Sequence, residues 1–170
     1  MTAAGRPRKR HVRSWAPVLL SWALGIALAL GHPLGPRAST TERVVVDRHT
    51  GLALYGIDPV AYFTDRKPVA GRAELELRFA GAVWRFDNEG NRAAFAADPA
   101  VYMPRFGGYD PLGVARGVST PGNPDLWSLV EDRLYLFYSA EARQAFVADP
   151  GPAIAAAEIR WPEVMKELVE

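Results

Sequence analysis

Apolar and charged positions alternate strictly in one stretch near the middle of the chain. Leu75, Leu77 and Phe79 are each separated by a charged residue, which is the period of a half-buried β-strand. The Ala80-Gly81 pair that follows is typical of a tight turn, and Ala82–Phe86 then offers a second strand. The pattern therefore predicts an antiparallel β-hairpin.

The same order of elements recurs about fifty residues later in the sequence. Leu126–Val130 predicts a strand, Glu131-Asp132 a turn, and Arg133–Tyr138 the returning strand. The chain is therefore predicted to contain an internal repeat, with one copy near residues 74–103 and the other near residues 126–151.

The segments at the ends of the two hairpins also have similar sequences. Trp84–Pro99 aligns without a gap on Tyr135–Pro150, and seven of sixteen positions are identical. The alignment brings together Asn88 and Ser139, two residue types that favour helix N-caps. Each copy ends in Asp-Pro, and a residue before proline is disfavoured in the α-helical region. Each hairpin is thus predicted to lead into a capped helix that stops at Asp-Pro.

The two phenylalanines at the same position of these helices, Phe95 and Phe146, are predicted to pack on the inner faces of their hairpins. The predicted fold class is α+β, with two β-hairpin–helix units in an internal repeat, flanking short strands and C-terminal helices. The flanking strands are predicted at Val44–Val46 and Leu52–Leu54, and the C-terminal helices at Pro152–Glu158 and Pro162–Val169.

The first 40 residues have the character of an export leader. Five basic residues lie between Arg6 and Arg13, and the apolar run Trp15–Leu30 follows them. Its length lies between that of a signal peptide and that of a short signal anchor, and the preceding bases orient the rest of the chain outward. The chain is thus predicted to be periplasmic, or anchored in the inner membrane with residues 41–170 outside the cytoplasm. A Gly- and Pro-rich linker, residues 31–41, joins the two parts.

Charge is distributed unevenly along the chain. Six of the 20 basic residues precede residue 41 and no acid does, which leaves 20 − 6 = 14 bases against 19 acids, or −5, in residues 41–170. An acidic domain argues against nucleic acid as a partner, because that interaction needs a basic surface. The chain also has no cysteine, which excludes disulfides, thiolate chemistry and any cysteine-based metal site.

Several motifs, in order and at similar spacing over residues 44–162, make the chain resemble the exported YHS-domain proteins of bacteria. They are YGIDPVAYF at residues 55–63, the segment Phe79–Tyr102 ending in DPAVY, GGY at residues 107–109, PGNPDLW at residues 121–127 and WP at residues 161–162. The resemblance implies a domain that binds metal, mostly through cysteines. Related proteins have cysteine or selenocysteine after Gly-Gly-Tyr, where this chain has Asp110.

Asp110 is therefore the main candidate for a ligand contact. Together with Tyr109, Asp58 and Trp127 it is interpreted as lining a small polar pocket, and its carboxylate is a candidate ligand for a hard cation. The alternatives are structural: Asp110-Pro111 fits a turn, and Asp58 fits a helix N-cap followed by proline. Trp127 is alternatively a core residue.

Two functions follow as hypotheses. The first is a non-catalytic extracytoplasmic binding module for a small ligand or metal ion. The second is a membrane-tethered interaction domain that presents a surface to another envelope protein and binds no small ligand. An enzyme is the weakest hypothesis, because His49 is the one histidine after the leader and its turn context predicts an exposed side chain.

Overall fold

The computed structural model describes residues 43–168, together with Met1. Apart from Met1, the leader and linker predicted for residues 1–41 lie outside this described part. Within residues 43–168, no helix is both long enough and apolar enough to cross a membrane. The described body belongs to one compact unit, Arg37–Glu170.

Short helices and two hairpins alternate along this body. The strands are β1 Arg72–Phe79, β2 Ala82–Phe86, β3 Asn123–Val130 and β4 Arg133–Phe137. The α-helices are α1 Ala61–Thr64, α2 Glu89–Ala97, α3 Pro99–Tyr102, α4 Pro111–Ala115, α5 Ala140–Ala148 and α6 Pro150–Glu167. The single-turn segments Leu54–Gly56 and Arg105–Gly108 precede α1 and α4.

Each hairpin is an antiparallel pair, β1 with β2 and β3 with β4. Both have a register shift at the same place, between Arg72 and Glu76 in one and between Asn123 and Trp127 in the other. A shift of this kind bends the strand and increases its twist. The predicted α+β class, with two antiparallel hairpins and C-terminal helices, is confirmed.

Both hairpin turns place two consecutive residues at positive φ. The angles are 51° and 81° at Ala80 and Gly81, and 51° and 53° at Glu131 and Asp132. Turns with two such residues match the right-handed twist of the flanking strands. The second turn achieves this without glycine, and aspartate tolerates the left-handed region better than most residues.

The helices after the hairpins are capped as the sequence predicts, by Asn88 and Ser139. Phe95 and Phe146 are fully buried and occupy corresponding positions. The ring centroid of Phe95 lies 4.9 Å and 5.3 Å from those of two β2 aromatics, and that of Phe146 lies 4.9 Å and 5.1 Å from those of two β4 aromatics. These four aromatics are Trp84, Phe86, Tyr135 and Phe137. Each hairpin therefore closes its own aromatic core.

The predicted flanking strands are reduced to isolated bridges. Val46 bridges Ala53, and the N–H of Asp47 donates to the carbonyl of Leu52 at 2.9 Å, but Leu54 adopts a φ of 50° and cannot continue a strand. The N–H of Val45 donates to the carbonyl of Gly107 at 2.8 Å. The segment before the first hairpin is thus held both by the segment predicted as its partner and by a distant turn.

The prediction of two separate C-terminal helices is wrong. Helix α6 runs without interruption from Pro150 to Glu167 and contains Pro162. Proline removes one backbone donor from a helix but leaves the other hydrogen bonds in place. Buried Ala157 and Val164 lie on either side of Pro162, so the packing of α6 continues across the proline.

Candidate functional site

Asp58 is fully buried at the start of the Asp-Pro segment that leads into α1. Its Oδ1 accepts a hydrogen bond from the N–H of Val60 at 2.8 Å. Its Oδ2 accepts bonds from the N–H of Asp87 at 2.9 Å and from Nδ2 of Asn91 at 2.7 Å. The carboxylate therefore ties the beginning of α1 to the end of β2 and the first turn of α2.

Asp110 occupies the corresponding place before α4 and is 3% exposed. Its Oδ1 accepts the N–H groups of Leu112 at 2.8 Å and Gly113 at 3.3 Å. Its Oδ2 accepts the N–H of Tyr138, directly after β4, at 2.9 Å. Asp110 thus joins α4 to the end of the second hairpin as Asp58 joins α1 to the first.

The turn before each Asp-Pro segment is left-handed over three residues. The φ angles are 50°, 56° and 83° at residues 54–56, and 53°, 62° and 91° at residues 106–108. In both turns the last glycine accepts a backbone hydrogen bond at 2.9 Å, Gly56 from Gly71 and Gly108 from Gly122. Residues 54–102, called the first half below, and residues 106–154, called the second half, thus share a set of contacts as well as an order of elements.

The two left-handed turns differ at their middle residue. Gly107 is covered by the N-terminal segment, and a Cβ atom there would collide with the carbonyl oxygen of Arg43. The matching residue of the first half is Tyr55, which is 51% exposed. A bulky residue at positive φ is uncommon and costs about 1–2 kcal/mol. Tyr55 thus bears this cost while its ring is largely exposed rather than packed in the core.

Tyr55 lies on a groove between the two halves. The groove has a volume of about 570 Å³ and is lined by Tyr55, Ile57, residues 121–125 and Tyr138. We call it the tyrosine groove. Tyr138 is 66% exposed, so both phenol rings face solvent and the groove. A smaller cavity of about 240 Å³, which Tyr55 also lines, is lined by residues 44–49, Tyr109 and Pro121.

The four residues predicted to share a pocket lie in different places. Asp58 belongs to the first half, whereas Asp110 lines a cavity with Arg116 and other residues of the second half. Tyr109 lines the smaller cavity, and its ring centroid lies 6.1 Å from that of Trp161. Trp127 packs edge-on against Tyr62, with ring centroids 5.2 Å apart. The tyrosine groove is lined by other residues.

His49 is exposed in a turn, as the sequence predicts. Its N–H donates to Oδ1 of Asp47 at 2.8 Å, and this bond lowers the pKa of the Asp47 carboxyl. In the part of the chain that the structure describes, no three His, Asp or Glu side chains are grouped so that they could hold a metal ion. The candidate role of Asp110 as a metal ligand thus has no partner ligands among these residues.

Tyr62 supports the groove from beneath. Its ring is fully buried, and its hydroxyl donates to the carbonyl oxygen of Pro124, a groove residue, at 2.9 Å. Burial, and then the negative charge of Asp125, raises the pKa of the Tyr62 phenol. The neutral phenol therefore links α1 of the first half to β3 of the second.

Tyr62→Phe should lower the free energy of unfolding by about 1–3 kcal/mol, because the Pro124 carbonyl loses its buried donor. The native phenol also holds its proton more tightly than the unfolded one. The contribution of the Tyr62 phenol to the free energy of unfolding is therefore fully present below pH ~10 and is lost as the pH rises above that value. Urea unfolding of both proteins at neutral pH and above pH ~10 measures it. An unchanged midpoint in the variant at neutral pH would show that the bond does not stabilise the fold.

Tyr55 and Tyr138 are the groove residues that the sequence interpretation missed. A signal for both existed in the repeat. With Asp58-Pro59 aligned on Asp110-Pro111, Tyr55 stands opposite Gly107, and in the hairpin alignment Tyr138 stands opposite Asp87. Both are large aromatics at positions where the other half has a residue of different chemistry.

No family model matches the chain, and neither curated proteins nor solved structures include one with significant similarity to it.

Proposed function

We propose that the chain is a non-catalytic, YHS-like binding module displayed outside the cytoplasm, and that its ligand occupies the tyrosine groove. The observation that carries the proposal is the pair of exposed tyrosines, Tyr55 and Tyr138, on one concave surface between the halves. The predicted leader and the motifs shared with exported YHS-domain proteins support the location and the class.

Comparison of the halves favours this surface. In the first half, Arg72 and Asp87 form an ion pair at 3.3 Å where the hairpin ends. The corresponding residues of the second half are Asn123 and Tyr138, and both line the groove. A structural pair at these positions has thus been replaced by an amide and an exposed ring. Residues that differ between two halves with the same contacts are the better candidates for a binding role.

The shape of the groove supports a small ligand. Its volume of about 570 Å³ lies within the range of about 300–1,000 Å³ typical of ligand sites. Aromatic and proline surfaces supply apolar contact, while Asn123 and Asp125 supply polar groups. The buried carboxylates of Asp58 and Asp110 accept hydrogen bonds from the protein itself and so hold together the elements around the groove.

Ligand-detected NMR with a library of small polar and aromatic compounds tests the proposal. The full-length chain in detergent should bind a subset of the compounds, and Tyr55→Gly combined with Tyr138→Ala should abolish their signals. Val147→Ala is the matched control, because Val147 is also 51% exposed and lies on α5. Binding that survives the double tyrosine variant would contradict the assignment of the groove. No binding at all would favour a tethered interaction domain instead.

A further inference from the structure

We infer that the tyrosine groove recognises an organic ammonium group, held over the faces of Tyr55 and Tyr138 and paired with the carboxylate of Asp125. This inference rests on the proposed function and names the chemistry of the ligand. The group can belong to a small free compound or to the side chain of a lysine.

The two tyrosines give the first reason. The face of an aromatic ring carries partial negative charge and attracts a cation within about 6 Å of the ring centroid. Two exposed rings on one concave surface supply two such faces. The protein also holds Tyr55 at a φ of 56°, a conformation that the matching turn uses with glycine. The backbone thus accepts an unfavourable residue where the ring is available to a ligand.

Charge gives the second reason. The groove lining includes one carboxylate, that of Asp125, and no basic side chain. Burial, and then the negative charge of Asp125, raises the pKa of the Tyr62 phenol beneath the groove. Residues 41–170 carry a formal charge of −5, which also favours cations over anions as ligands.

The two cavities that Tyr55 lines differ in charge. The smaller cavity is lined by Asp47, Arg48 and His49. The tyrosine groove is lined by Asp125 and Tyr138 and by no basic side chain. The ammonium is therefore assigned to the tyrosine groove rather than to the smaller cavity.

Isothermal titration of the full-length chain with choline tests this inference. The control ligand is the neutral alcohol in which carbon replaces the nitrogen of choline, because it has the same shape without the charge. Choline should bind roughly tenfold more tightly than the alcohol, as expected for two cation–π contacts. A capped Gly-Lys-Gly peptide is titrated in parallel, and tighter binding of the peptide than of choline identifies lysine as the source of the ammonium.

Variants at Tyr55, Tyr138 and Asp125 assign the contacts, with Tyr138→Phe and Asp132→Asn as controls. Tyr55→Gly removes the ring and also relieves the strain of the positive φ, so the variant should stay folded. A loss of at least about tenfold in its choline affinity then reports the missing ring rather than unfolding. Tyr138→Ala should act similarly, and Tyr138→Phe, which keeps the ring, should bind like the wild type. Asp125→Asn should weaken choline about twofold to fivefold, whereas Asp132→Asn, which removes the same charge at the distant hairpin turn, should not.

The outcomes separate this inference from the proposed function. If choline and the neutral alcohol bind equally and both are lost in Tyr55→Gly, the groove is the site but the ammonium inference is wrong. If neither binds while library compounds still depend on the tyrosines, the inference is likewise overturned and the proposed function stands. If choline binds equally well to all the tyrosine variants, both fail.

Discussion

Asp58→Asn is expected to lower the free energy of unfolding by about 2–4 kcal/mol. Two donors, the Asp87 N–H and Asn91 Nδ2, point at Oδ2 of Asp58, and a third points at Oδ1. An amide has one oxygen, so its NH₂ group must face at least one donor in a fully buried place. Urea unfolding followed by circular dichroism measures the change, with an unaltered dependence on denaturant expected.

Matched substitutions test this explanation. Asp110→Asn should have a similar effect, because Asp110 also accepts two N–H groups at one oxygen and one at the other, so one donor must again face the NH₂ group. Asp132→Asn at the exposed hairpin turn should change stability by no more than about 0.5 kcal/mol. If Asp58→Asn were as mild as Asp132→Asn, the carboxylate would not be a structural tie, and Asp58 would become available again as a ligand contact.

Gly107→Ala is expected to cost about 3 kcal/mol or more. Alanine pays about 1–2 kcal/mol for the left-handed conformation at a φ of 62°. Its Cβ would also collide with the Arg43 carbonyl, so the N-terminal segment must move away from the turn. That movement breaks the 2.8 Å hydrogen bond from Val45 to Gly107. Thermal unfolding, together with amide hydrogen exchange at Val45, measures both parts of the effect.

Two further substitutions serve as controls for Gly107→Ala. Gly151→Ala lies in α6 with no atom within 4 Å of the added Cβ and should be neutral or slightly stabilising. Tyr55→Gly makes the reverse change in the matching turn and should leave stability unchanged or raise it by up to about 1 kcal/mol. A Gly107→Ala protein as stable as the Gly151→Ala protein would refute the close packing of the N-terminal segment on this turn.

Local patterns were sufficient to predict the hairpins and the helices that follow them. The alternation at Leu75 and Leu77, the turn pairs, and the caps Asn88 and Ser139 each act over a few residues, so they can be recognised in the sequence. The aligned Phe95 and Phe146 followed from the same repeat. The alternative that made Asp58 a helix N-cap was wrong, because Val60 is the N-cap of α1, although Oδ1 of Asp58 accepts the N–H of Val60.

The surroundings of the predicted site residues depend on contacts that no local pattern encodes. Oδ2 of Asp58 accepts a hydrogen bond from the N–H of Asp87, 29 residues away. Oδ2 of Asp110 accepts one from the N–H of Tyr138, 28 residues away. Motif spacing therefore suggested a shared pocket for carboxylates that are in fact used separately inside the fold. No sequence feature predicts the left-handed backbone of Tyr55. The turn imposes this conformation, and only the comparison with Gly107 reveals it.

The bond between Tyr62 and Pro124 spans 62 residues, and the bond between Val45 and Gly107 joins the start of the described chain to its middle. A chain that emerges from a pore amino end first lacks Gly107 and Pro124 until those residues have emerged. Until then, the apolar side chains of the early residues remain exposed to solvent. The first half therefore reaches its final packing only after the start of β3 is available.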